Sequence, residues 1–139
     1  MIGYFGNIEE LAEENTDFRR VLYSGAKLQL VLMSIDPGSE IGGETHSDTD
    51  QFFRVEDGKG RAVIDGVTHK LGPGDGIVVP AGAYHNVICT GHEPLKLYTI
   101  YGPAHHQDQL VQKTKAEADA SDETFEGQAT EKKAEVVQV

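Results

Sequence analysis

The sequence predicts an all-β domain, an antiparallel sandwich or barrel carrying little helix. Three observations predict it. Short runs rich in β-branched, aromatic and aliphatic residues recur through the middle of the chain. Turn signals built from Gly, Pro and Asp separate them. No long helical pattern falls between one run and the next, which sets aside βαβ units and a parallel sheet.

The elements follow in chain order. Asn7 followed by Glu10 resembles a capping box, and Ile8, Leu11 and Ala12 repeat at helical spacing. They predict a turn or two of helix that plugs or covers the barrel, within an N-terminal segment of residues 1–17. The barrel itself is expected over residues 18–111. Leu28 to Ile35 is β-rich and mostly buried, and Pro37-Gly38 ends it. Phe52 to Val55 is the next strand. Arg61 to Ile64 and Val67 to Leu71 flank Asp65-Gly66, a pair that supplies the positive φ angles of a type I′ hairpin turn. Gly72-Pro73-Gly74-Asp75 turns the chain, Ile77 to Pro80 is a short buried strand, and Pro80-Ala81-Gly82 turns it again. His85 to Ile88 and Leu95 to Tyr101 complete the set.

Residues 112–139 change character, becoming rich in Ala, Glu, Lys, Asp, Ser and Thr with one aromatic, Phe125. Thr114 and Glu117 predict a short capped helix through Ala120. Beyond it there is too little apolar surface to offset the entropy of ordering. A polar, flexible tail is expected, mobile from about Ala120 unless a partner subunit orders it. With four Lys against seven acidic residues, it holds −3 of the chain's net charge of −11.

Composition bounds the function. At 139 residues the chain is one domain's length. No apolar run approaches the ~20 residues of a membrane span, and the first residues lack the charged and apolar regions of a signal peptide. One cysteine allows no intramolecular disulfide and suits a reducing cytoplasm. A net charge of −11 repels nucleic-acid phosphates and anionic lipid. The expectation is a cytoplasmic protein with a small-molecule ligand, without nucleic-acid or membrane partners.

Two motifs carry the chemistry. The first is Gly38-x5-Glu44-x-His46-x4-Gln51-x6-Gly58, and the second is Gly74-x5-Pro80-x-Gly82-x2-His85-x3-Cys89. Their spacings resemble the two motifs of the cupin superfamily over about Gly38 to Thr90. That family carries His, His and Glu in the first motif and His then Asn in the second. Here Glu44 stands at the first His position, Gln51 at the Glu position and Cys89 at the Asn position. The resemblance implies a double-stranded β-helix, the RmlC-like jelly-roll barrel, in a small monocupin. It also implies a homodimer and a divalent metal held by Glu44, His46, Gln51 and His85.

The residues themselves are consistent with such a site. Glu44 and His46 are two apart, so on extended chain both project from one face. Gln51 opens the next strand and His85 comes from a third, so the four donors converge from three strands. His85, Val87 and Cys89 share a face by parity. Each residue has an alternative. His46 and His85 could be ordinary half-buried histidines, and Glu44 a solvent-facing carboxylate. Gln51 could orient a ligand or a water rather than bind metal. Cys89 reads as a small buried hydrophobe. His105-His106 reads as a surface pair after the last strand, and His69 and His92 as surface residues. Mixed N/O donors suit Mn, Fe, Co, Ni or Zn. Phosphomannose-isomerase-type cupins also mix Gln, His, Glu and His.

Three functions fit. One is a metal-dependent enzyme on a small molecule, of isomerase, lyase or dioxygenase type, with no catalytic residue assigned unless an unligated Glu44 serves as general base. Another is a non-catalytic binding or sensing module. The third is a sugar-phosphate isomerase, which needs a cation at the mouth. Arg54 faces outward by parity, and neither motif supplies an inward Lys or Arg. Phe52, Tyr98 and Ile100 fall on the outer face, where a monomer would expose them, which favours pairing of two copies.

Overall fold

The computed structural model describes residues 2–131 of the chain. Two helices and nine strands run in the order α1 (Ile8–Glu14), β1 (Arg19–Ser24), β2 (Gln29–Ile35), β3 (Asp50–Asp57), β4 (Gly60–Ile64), β5 (Val67–Leu71), β6 (Gly76–Val79), β7 (His85–Cys89), β8 (Leu95–Gly102), β9 (Val111–Gln112) and α2 (Lys115–Asp119). Six strands form one sheet, ordered β6-β3-β8-β2-β1-β9, and three form the other, ordered β5-β4-β7. Every pairing is antiparallel. The helices hold only 7 and 5 residues, so the chain is all-β as its pattern predicts.

Alternation builds the core. Along β8, Leu95, Leu97, Thr99 and Tyr101 are buried while Lys96, Tyr98 and Ile100 are partly exposed. Along β7, His85, Val87 and Cys89 point inward, as parity predicts. Val31, Met33, Ile35, Phe53, Val55, Leu95 and Leu97 from the large sheet meet Ala62, Val87 and Cys89 from the small one. The β4–β5 hairpin turns on Asp65 at φ 46° and Gly66 at φ 81°, the left-handed pair that the type I′ turn requires.

Helix α1 starts where Asn7 caps it, its side chain accepting a hydrogen bond from the Glu10 amide at 3.1 Å. The helix lies on the outer face of the large sheet, beside β8, β2 and β3, rather than plugging a barrel end. Strand β1 has no counterpart among the predicted elements. Its adjacent Arg19 and Arg20 hide the alternation, although Arg19, Val21 and Ser24 are buried. Strand β9 is two residues long, too short for any pattern, and is defined by pairing Gln112 with Arg19 and Val111 with Arg20.

Thr114 caps α2, accepting from the Glu117 amide at 3.1 Å. The following residues lie back on the barrel. The Phe125 amide donates to the His105 carbonyl at 2.9 Å, and the Thr130 amide to the Ser24 carbonyl at 2.9 Å. The Glu131 carboxylate accepts from the Ile2 and Gly3 amides at 3.0 Å. These contacts are polar and backbone-directed, so a composition argument based on apolar burial does not register them. The flexible tail expected from the sequence extends through residues 132–139, which lie outside the described residues.

Candidate metal centre

Glu44 and His46 lie on the irregular stretch between β2 and β3. The sequence suggests extended chain there, and the structure holds it as a seam along β7. Glu44 and His85 exchange backbone hydrogen bonds, both at 2.9 Å, as an isolated bridge. The Ile41 amide donates to Val87 and the Gly42 amide to the Asn86 side chain, each at 2.9 Å. The Gly82 amide donates to the His46 carbonyl at 2.8 Å, so the Pro80–Gly82 turn fixes the histidine's backbone. Gln51 comes from β3 and His85 from β7, and both side chains are buried.

Three of the four predicted residues form one cluster. His46 Nε2 lies 3.3 Å from Glu44 Oε1, and His85 Nε2 lies 3.7 Å from the same oxygen. One donor atom from each falls within 4.8 Å of the others. The two imidazole rings are 5.3 Å apart. Gln51 is fixed from its nitrogen side, donating from Nε2 to Thr99 Oγ1 at 2.9 Å. Its carbonyl oxygen is buried without a hydrogen-bond partner, as are His46 Nε2 and His85 Nε2.

Buried polar atoms without partners are costly and uncommon. Here three sit among the residues that the motif spacing groups together. His85 shows their orientation most directly. Its Nδ1 lies 3.0 Å from the Ala83 carbonyl. A proton on Nδ1 satisfies that oxygen and leaves the Nε2 lone pair free to bind a cation. Two imidazole nitrogens, an amide oxygen and a carboxylate make an N/O donor set that fits a divalent transition metal. Burial opposes ionisation of Glu44. The His46 contact and the electrostatic pull of His46, His85 and Arg19 outweigh it, holding the carboxyl below its usual range.

Beside this cluster lies a second array that corrects one expectation. His105 and His106 do not form a surface pair. The His105 ring is 4.3 Å from His46 and stacks on Tyr101 at 5.4 Å. His106 is buried, with Nδ1 2.7 Å from Glu123 and Nε2 3.0 Å from the Tyr101 hydroxyl. Burial, then the neighbouring His106 and His46, pulls His105 down to about 4. Burial likewise lowers His106, against the pull of Glu123. Burial pushes the Tyr101 phenol up to about 12, so it keeps its proton. The loop is drawn in by Gln29. Its side-chain oxygen accepts from the His105 and His106 amides at 3.1 and 2.9 Å, and its nitrogen donates to the His106 carbonyl at 2.7 Å. The sequence signal for this is Gln29 itself, a glutamine opening the mostly apolar strand β2. Cys89 is buried as expected, its thiol donating to the Glu93 carbonyl at 3.4 Å. His69 and His92 are exposed.

The Cupin_2 family, "Cupin domain", matches residues 31–101. The chain belongs to the cupin family. The crystal structure of BH2720 from Bacillus halodurans is similar with a TM-score of 0.84 and 42% identity, over 85% of this chain and 94% of that one. An RmlC-like cupin from Shewanella frigidimarina is 28% identical with a TM-score of 0.57, over 62% of this chain and 75% of that one. The uncharacterized protein YrkC of Bacillus subtilis is 42% identical over 123 residues, 84% of this chain and 66% of YrkC. The matched region thus spans about two thirds of that relative's own length. In this cupin the jelly-roll barrel brings Glu44, His46 and His85 together at one end, with Gln51 and the His105–His106–Tyr101 array alongside.

Proposed function

We propose that this cupin binds one divalent transition-metal ion through Glu44, His46, Gln51 and His85, and acts as a metal-dependent enzyme on a small molecule in the barrel. The observation that carries this reading is the set of three buried polar atoms without hydrogen-bond partners, on Gln51, His46 and His85, beside the Glu44 carboxylate. A metal bound there would supply Lewis-acid polarisation or redox chemistry of the isomerase, lyase or dioxygenase kind.

The protein's own groups favour catalysis over binding alone, because several around the site can hold or pass a proton. Glu123 sits on His106 Nδ1 and fixes that ring's tautomer, leaving Nε2 to accept from the Tyr101 hydroxyl. Glu44, ionised and with its side chain 31% exposed, faces the open side and can take a proton from a bound molecule if it is not ligated. Protein purified without chelator or nickel resin is expected to carry about one transition-metal ion per chain by elemental analysis, and to regain it after stripping and reloading. A stripped protein that takes up none would leave a metal-free binding module as the better account.

We also propose that two copies pair through the outer face of the large sheet, in the cytoplasm that a single cysteine suits. Phe52 and Tyr98 pack there with ring centroids 6.3 Å apart. Val78 and Leu28 remain 67% and 47% exposed, more than a monomer gains by showing. No helix among the described residues is long and apolar enough to cross a membrane. Light scattering is expected to give twice the chain mass over a wide concentration range, and a steady monomer mass would refute the pairing.

A further inference from the structure

Arg19 is an inward-facing cation that neither motif contains. It sits on the buried face of β1, opposite Met33 on β2 and Gln112 on β9. Only 7% of it is exposed. Its guanidinium lies 5.2 Å from the Phe18 ring centre and, among the described residues, makes one hydrogen bond, Nη1 to Gln112 Oε1 at 2.7 Å. Its Nε is buried with no partner. Among the described residues it has no ion pair.

We propose that Arg19 is an anion-binding residue of the barrel, and that the molecule taken there is a small carboxylic acid whose carboxylate sits on the Arg19 guanidinium. As a statement about substrate, this rests on the barrel interior being the functional site. As a statement about anion binding, it stands apart from the metal.

A guanidinium cannot shed its charge and presents five donors in a rigid fork. Buried with one neutral partner, it is left short of the carboxylate that normally accompanies it. The nearby carboxylates are committed elsewhere. Glu44 lies against His46 and His85. Glu123 accepts from the Gln107 amide at 2.6 Å and pairs with His106. Both feel the Arg19 charge, and neither occupies it. Gln51, Thr99 and Tyr101, also buried on the inner face, are neutral. The fork is therefore an unfilled positive position in a protein whose net charge is −11.

Charge, rather than shape, favours carboxylate over phosphate. A planar guanidinium matches two oxygens of either anion. One guanidinium balances a carboxylate but leaves half the charge of a phosphate dianion uncompensated. Lys115, beside Gly42, is bound to Asp119 at 2.9 Å. The partly exposed Glu44 side chain marks where the interior meets solvent. A carboxylic acid held by Arg19 would extend toward Glu44 and the metal-ligand set.

The test is calorimetric titration of glycolate, glycolamide and inorganic phosphate into the full chain, both metal-loaded and chelator-treated. Glycolate is expected to bind wild type in both forms, with glycolamide and phosphate at least about tenfold weaker. Arg19→Met should weaken glycolate by about tenfold or more, and Arg19→Lys should weaken it less, restoring charge without the fork. If the wild type takes up no metal yet shows this pattern, the metal reading fails and the anion site stands. Equal binding of glycolate and glycolamide would overturn the proposal, as would phosphate binding as tightly as glycolate. So would Arg19→Met binding glycolate like wild type. Should Arg19→Met not fold by circular dichroism, an unchanged glycolate affinity in Arg19→Lys would overturn it instead.

Discussion

Alanine at His46 or at His85 is expected to weaken divalent-metal binding by more than about 100-fold, since partners that merely orient a ligand already contribute about 10–100-fold. Each imidazole presents a buried Nε2 without a hydrogen-bond partner. Each lies within 3.7 Å of the same Glu44 oxygen, so neither loss can be replaced by the other ring. The variants should remain folded, because the backbone bonds that place these residues come from the Glu44–His85 bridge and the Gly82 amide. Gln51→Glu should act in the opposite direction. It puts a carboxylate oxygen where a neutral amide oxygen stands and raises the ligand charge from −1 to −2. Thr99 would turn its hydroxyl to donate where it now accepts from Gln51. Parallel titrations of the three variants check this. If His46→Ala binds metal like wild type, the assignment of the site is wrong.

Gly58→Ala is expected to cost about 3 kcal/mol or more, through left-handed backbone strain and overpacking together. Gly58 joins β3 to β4 at φ +88°. An added Cβ would lie 2.5 Å from the Pro94 carbonyl oxygen and 3.0 Å from Leu95 Cα, both backbone atoms. Neither can swing away as a side-chain tip can. Leu95 is fully buried at the start of β8, so yielding there disturbs the core. Gly38→Ala is the control. Its φ of +79° imposes similar strain with nothing within 4 Å of the new methyl, so its cost should stay near 1–2 kcal/mol, or roughly the backbone contribution alone. Urea unfolding of the two variants separates the effects. Equal stabilities would mean that the β3–β4 corner is not packed as described.

Much of the fold is legible in the sequence. Strands such as β5, β7 and β8 alternate cleanly or are bounded by strong turns, and they lie within a residue or two of their predicted limits. The motif spacing groups Glu44, His46, Gln51 and His85, and the fold draws Glu44, His46 and His85 into one cluster, because fixed gaps in a barrel bring fixed positions together. Elements without a local pattern are not legible in this way. Strand β1 begins with two arginines, which read as surface although one faces inward. His105 and His106 follow the last long strand and look solvent-exposed. They are drawn inward, His106 fully and His105 in part, because Gln29, more than seventy residues earlier, accepts both of their amides. The segment from Ala120 to Glu131 is held by capped carboxylates and backbone bonds, and hydropathy does not report those.

The central claim is that this barrel holds a divalent ion on one carboxylate, one amide and two imidazoles. Calorimetric titration of Mn, Fe, Ni and Zn into chelator-stripped wild-type protein tests it most directly. One site per chain, lost in both His46→Ala and His85→Ala, is the result this account predicts. Wild-type protein that binds none of the four ions would contradict it.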